Sequence, residues 1–153
     1  MTQRLNYEKA SPGGVAAFGS VYGYVMRSGL DEVLVDLVYL RVSQINGCAY
    51  CIDMHTRDLI KRGVKIDKIV LVPVWHEAEA LFSDQEKAAL AWAESVTRVA
   101  QSGVPDEAFQ AAIAVFSEKE LADLTMAIGL MNAYNRLAIS FRNTPEAARA
   151  KNG

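Results

Sequence analysis

Apolar residues recur every three or four positions along almost the whole chain, the spacing of a helix face rather than of a strand. Phe18, Tyr22 and Val25 stand on one face of a helix over about 15–26. Leu30, Leu34, Leu37, Val38, Val42 and Ile45 form a second stripe, closed by Asn46-Gly47, where glycine suits a left-handed helix end. A third helix runs from about Cys48 to Arg62, with Lys61 and Arg62 in its last turn and Gly63 beyond. The stretch from Ile66 to Trp75 has a strand-like composition but no partner strand nearby, so it is expected as a short buried helix. Ser83 with Glu86, and Ser117 with Glu120, have the spacing of capping boxes. The first opens a helix through Ala89, Trp92, Val96 and Val99 that Gly103 ends. Pro105 suits the first turn of another, reaching about Phe116.

The second capping box opens a long helix to about Phe141 with two apolar faces. Leu121, Leu124, Ile128 and Met131 line one face, and Met126, Leu130, Ala133 and Leu137 the other. Such a helix is expected to run through the centre of the domain or to pack partly against another subunit. Residues 1–13 are polar and carry Ser11-Pro12-Gly13-Gly14, a loop signal. The expectation is an all-α fold of about six to eight helices, forming one domain over residues 1–153.

Composition narrows the function classes. Apolar residues make up 51% of the chain and charged residues 22%, which excludes a disordered chain. Gly and Pro together number 14 of 153, too few for a turn-rich sandwich. The net charge is −2 and no basic block stands out, so no nucleic-acid partner is expected. The run Ile69–Trp75 is too short to span a membrane, and no apolar segment resembling a secretory signal opens the sequence. The expected compartment is the cytoplasm, where structural disulfides are rare.

The two cysteines therefore ask for a chemical reason. They form Cys48-x-x-Cys51 at the start of the third helix. A helix N-terminus offers unpaired N–H groups and partial positive charge, which lower a thiol pKa from about 8.5 toward roughly 3.5–7.5. His55 follows Cys51 by four residues, so the two share a helix face. An imidazole there can take the thiol proton or stabilise the thiolate. Cys48 is less directly served, so Cys51 reads as the attacking thiolate and Cys48 as its resolving partner. The second cysteine, one turn away, can close a disulfide with little backbone movement. Two other readings compete with this redox dithiol. Cys48, Cys51 and His55 could bind zinc, with His76 or a carboxylate as the fourth ligand. The cysteines could also be small buried apolar residues.

The run Arg41–Thr56, RVSQINGCAYCIDMHT, closely resembles the core motif of the alkylhydroperoxidase AhpD family, part of the wider carboxymuconolactone decarboxylase superfamily. Met131–Ala138, MNAYNRLA, is similar to the helix that closes that family's core, and the Pro73-Val74-Trp75 turn followed by Ser83–Trp92 is also similar. Together these cover about residues 30–140. The resemblance implies an AhpD-like helical fold whose core helices pack in a homotrimer or homohexamer. It implies reduction of organic hydroperoxides by a dithiol cycle, with no metal or organic cofactor. The second cysteine of the motif attacks the peroxide, which agrees with Cys51. An external dithiol, lipoyl-type or thioredoxin-like, regenerates the pair.

Where the family motif has Glu, eleven residues, then Cys, this chain has Asp36. The resemblance implies that Asp36 relays protons to His55 or orients it, with a shorter reach than glutamate. Glu32, one turn earlier, is a possible substitute. His76 reads as a surface histidine, and Asp53 as a helix-dipole partner. Asn135 and Arg136 need polar partners if buried. The rival functions are a carboxymuconolactone decarboxylase-type enzyme, which needs no dithiol, and a non-enzymatic thiol redox sensor.

Overall fold

The computed structural model describes residues 2–149. Nine α-helices and three short 3-10 turns make up the regular structure, and no strand occurs among the described residues. The helices are α1 (Tyr7–Ala10), α2 (Pro12–Met26), α3 (Glu32–Asn46), α4 (Ala49–Lys61) and α5 (Ile66–Leu71). They continue with α6 (Asp84–Thr97), α7 (Val99–Ser102), α8 (Asp106–Ile113) and α9 (Glu118–Phe141).

Local chemistry explains most of the boundaries. Both capping boxes form: Ser83 and Ser117 accept from the backbone N–H of Glu86 and Glu120, whose carboxylates accept from the serine N–H in return. Gly47 takes the left-handed conformation at φ 70°, ψ 34°, and its N–H closes α3 on Gln44 and Ser43. A residue with a Cβ is strained in that region, so the glycine fixes the sharp step from α3 into α4.

Three features depart from the sequence pattern. Residues 7–10 form a helical turn where a loop is expected, because the Asn6 side chain accepts from the Lys9 N–H. The helix beginning at Ser83 breaks at Arg98, whose backbone is non-helical, so residues 99–102 form a separate turn. The stretch Ile66–Trp75 is half-buried rather than buried. Ile69, Val72 and Trp75 point inward, Ile66 and Val70 face solvent, and Pro73 lies in the 3-10 turn Val72–Glu77.

The helix at the centre is α3 and not α9. Every residue from Leu34 to Ser43 is buried. One side of α3 packs into a core with Val25, Trp92, Leu124, Ile128 and Met131, the other into a core with Leu59, Ile69, Val72 and Leu90. Its charged residues hide this in the sequence, since Asp36 and Arg41 are buried only because Arg62 and Glu94 neutralise them. By contrast α9 buries the Leu121–Leu124–Ile128–Met131 face as expected. On its other face Leu130 is buried but Met126 is 52% exposed.

Candidate active site

The cysteine pair sits where α3 hands over to α4. Cys48 is the N-cap of α4 and its Sγ accepts the N–H of Cys51 at 3.3 Å. The two cysteines are joined as a disulfide, with 5.4 Å between their Cα atoms. Both are buried, within the core of α3, α6 and α9. A polar network holds this corner in place. Asn135 of α9, fully buried, donates to Ser43 Oγ at 3.0 Å and accepts from Asn46 Nδ2 at 2.9 Å. Asn46 Nδ2 also donates to Asn132 Oδ1 at 3.0 Å. The last turn of α3, the Gly47 step and Cys48 are thereby tied to α9. Arg136 closes on its own helix through the carbonyl and side-chain oxygens of Asn132.

Cys51 and His55 line a cavity of about 310 Å³, which Cys48 does not line. Tyr7, Tyr22, Tyr50 and Tyr134 form much of its wall, with Met54 and Met131. Tyr39 packs behind His55 at 5.1 Å between ring centroids. Five of the six tyrosines therefore surround one histidine and one disulfide. Burial pushes the Tyr39 hydroxyl well above its ordinary range. Burial likewise lowers the His55 pKa to about 4, against an opposing pull from Asp58, so the imidazole is neutral at neutral pH. Neither His55 nitrogen has a hydrogen-bond partner among the described residues.

Asp36 comes to the same place but faces two ways. Its Oδ1 lies 3.8 Å from His55 Nδ1, beyond hydrogen-bond range, while its Oδ2 accepts from Arg62 Nε at 2.6 Å. Burial raises the Asp36 pKa and Arg62 opposes the rise. Glu32 does not reach His55; it accepts from Arg62 Nη1 instead. Asp58 Oδ2 lies 3.9 Å from His55 Nδ1. Asp36, His55 and Asp58 are the one group of potential metal ligands within mutual reach among the described residues. They are not the set expected for zinc: both cysteines are tied to each other, and Arg62 already neutralises Asp36.

His76 lies outside the cavity. It stacks on Trp75 at 3.5 Å between centroids, with Nε2 3.6 Å from Glu94, and is 59% exposed. Asp53 falls beyond the first turn of α4 and has no dipole role; it accepts from Arg57 Nε and from the Ala147 N–H. Sequence reasoning missed Arg62, Asp58 and the tyrosine wall. Arg62 reads as an ordinary basic helix end, and the tyrosines come from five different helices with no shared motif.

The described fold is all-α, with a Cys-x-x-Cys pair at the N-terminus of a half-buried helix and a histidine one turn on. The sequence model of the carboxymuconolactone decarboxylase family matches residues 12–95. The chain belongs to that family, as the resemblance of its cysteine segment implies. It is 35% identical over 143 residues to the uncharacterized protein YdfG of Bacillus subtilis, covering 94% of this chain and 97% of YdfG. It is 41% identical to a crystal structure from Agrobacterium tumefaciens, a protein of unknown function provisionally named as an antioxidant defence protein AhpD. That match covers 94% of this chain and 98% of the other, with a TM-score of 0.90. An uncharacterized peroxidase-related protein from Silicibacter sp. shares the fold at a TM-score of 0.77 and 21% identity, covering 93% and 72% of the two chains.

Proposed function

We propose that the protein is a thiol-dependent peroxidase that reduces organic hydroperoxides through a Cys48–Cys51 dithiol–disulfide cycle. The observation that carries this reading is that the helix-capping pair opens, through Cys51, onto a cavity shared with a neutral histidine.

The reduced pair starts the cycle. His55 takes the proton of Cys51, and the thiolate attacks the distal oxygen of the hydroperoxide. The O–O bond breaks, Cys51 becomes a sulfenic acid, and the alkoxide takes a proton and leaves as the alcohol. Cys48 attacks the sulfenic sulfur, the disulfide forms, and hydroxide leaves and is protonated to water. An external dithiol, lipoyl-type or thioredoxin-like, returns two electrons by exchange and departs as its own disulfide. The backbone N–H on Cys48 Sγ favours Cys48 as the departing thiolate in that exchange, with the reductant attacking Cys51 from the cavity. Asp36, held by Arg62, steadies the charge that develops on His55.

No described helix is long and apolar enough to cross a membrane, and the reading places the enzyme in the cytoplasm, where dithiol reductants are plentiful. A homotrimer or homohexamer is part of the same reading. The exposed apolar groove of Phe109 and Met126 beside Trp92 supports such packing.

The test is a thiol count on reduced protein freed of reductant and given one equivalent of an organic hydroperoxide. Loss of both thiols per chain, with one alcohol released, is the expected result. Retention of both thiols sinks the reading.

A further inference from the structure

The cavity wall carries charge of one sign only. Its ionisable groups, apart from the tyrosines and the disulfide, are Glu8, Asp58 and the neutral His55. No lysine or arginine lines it. Arg62, which bonds to Asp36 beside His55, is already committed to Asp36 and Glu32. Lys61 Nζ lies 3.7 Å from Asp58 Oδ1, and Arg149 lines the adjoining cavity with Glu8, but neither lines this wall; Glu8 is exposed like Lys61, so its field acts at low ionic strength and is screened by salt. The rest of the wall is aromatic and thioether surface, suited to an apolar body, with tyrosine hydroxyls to meet a hydroperoxide's oxygens.

Glu8 is placed there by construction of the fold. The Arg4 N–H donates to the Phe141 carbonyl at 2.9 Å, Asn143 Nδ2 donates to the Tyr7 hydroxyl at 3.2 Å, and the Tyr7 and Phe141 rings lie 5.9 Å apart. These contacts strap α1 to the end of α9 and hold Glu8 at the rim, over the cavity that Cys51 opens onto. Glu8 lies outside residues 12–95, the part that the family model matches.

We propose that this cavity selects uncharged organic hydroperoxides against hydroperoxides bearing a carboxylate, and that Glu8 is the residue that sets the discrimination. The inference rests on the peroxidase reading above and names the substrate class of that same site. A carboxylate entering the cavity loses water, meets no cation on the wall and approaches two like charges, whereas its ester loses only apolar hydration. Asp58 adds to the repulsion from the inner wall, beside His55.

The experiment compares an ω-hydroperoxy alkanoic acid with its methyl ester, at equal chain length and low ionic strength. The readout is the single-turnover rate of thiol loss in the reduced protein. The ester reacts faster by on the order of tenfold, and added salt narrows the gap. In Glu8→Gln the ratio falls toward one, and in Glu8→Arg it inverts. Because each ratio is taken within one variant, changes in the chemistry common to both substrates cancel. Equal rates for acid and ester in the native protein, or a ratio unmoved in Glu8→Arg, overturn the inference while leaving the peroxidase reading standing. Failure of both compounds to oxidise the thiols overturns the peroxidase reading and this inference with it.

Discussion

Arg62 Nε donates to Asp36 Oδ2 at 2.6 Å, and this bond leaves only the other carboxylate oxygen toward His55, at 3.8 Å. The chain has aspartate where the family motif has glutamate, and the shorter side chain is held by an arginine reaching over from the end of α4. Asp36 is almost fully buried while Arg62 is about one-third exposed, so the pair carries a charge into the interior from the surface side. Asp36 therefore makes no hydrogen bond to His55, and its own charge depends on Arg62.

Removing the arginine exposes that dependence. In Arg62→Ala the buried carboxylate loses its main donor, at a cost of about 1–3 kcal/mol. Burial already raises the Asp36 pKa and Arg62 opposes the rise, so the variant pushes it higher still. A raised carboxyl pKa means that the folded state holds the proton to higher pH than the unfolded chain. Stability then falls as pH rises from the unfolded value through the folded one. Urea denaturation from pH 4 to 8 should show a steeper loss with rising pH in Arg62→Ala than in the native chain. Parallel curves would mean that Arg62 does not govern the Asp36 charge.

His55 works in the opposite sense. Its pKa drops to about 4 in the fold from an ordinary 6.5, so the unfolded chain binds the extra proton between those values. The His55 contribution to stability is full above pH 6.5 and is lost as pH falls toward 4, by about 3 kcal/mol at the acid limit. In His55→Gln that acid-side slope disappears. The same neutrality predicts that thiol oxidation by hydroperoxide keeps its His55-dependent step down to about pH 5. A rate that halves near pH 6.5 with the histidine present, and not in His55→Gln, would argue for an imidazole of ordinary basicity.

The parts of this site that lie close in sequence were the legible ones. Cys48, Cys51 and His55 occupy one helix and its cap, so helical spacing alone places them together. Both capping boxes and the Gly47 step follow from rules three or four residues long. Arg62 and Asp36 are 26 positions apart, and nothing local distinguishes Arg62 from a solvated helix end. The cavity wall is harder still, since Tyr7, Tyr22, Tyr50 and Tyr134 come from α1, α2, α4 and α9. The central place of α3 was masked for a related reason. Asp36 and Arg41 are charged, and the Arg62 and Glu94 that neutralise them stand 26 and 53 positions away.

Asn135 gives a test of how the cysteine pair is positioned. It is fully buried and bridges Ser43 and Asn46, at the end of the helix that leads into Cys48. In Asn135→Ala both groups lose a buried partner, at about 1–3 kcal/mol, which lowers the melting temperature by roughly 2–4 °C for each kcal/mol. A role confined to stability leaves the thiol oxidation rate unchanged in the folded fraction. A role in holding the α3–α4 step slows that rate at temperatures where the variant is fully folded, and this second outcome is the expected one. Stopped-flow thiol oxidation well below the melting temperature separates the two.

The two cysteines make the sharpest prediction because two physical effects point to different sulfurs. The helix N-terminus serves Cys48, whose Sγ accepts the Cys51 N–H, and on electrostatics alone Cys48 would be the stronger thiolate. A general base serves Cys51, which lines the cavity with His55 while Cys48 does not. Cys48 lines a separate cavity, with Ala138, Ile139 and Arg142, that holds no histidine, so the base decides. Cys48→Ser should therefore consume one hydroperoxide per chain at near-native rate and stop at a sulfenic acid that a 1,3-dione reagent traps on Cys51. Cys51→Ser should slow the first reaction by at least about 100-fold, the scale on which a positioned general base acts. If instead Cys51→Ser reacts at near-native rate and the trapped adduct lies on Cys48, the helix terminus outweighs the cavity and the roles of the two cysteines exchange.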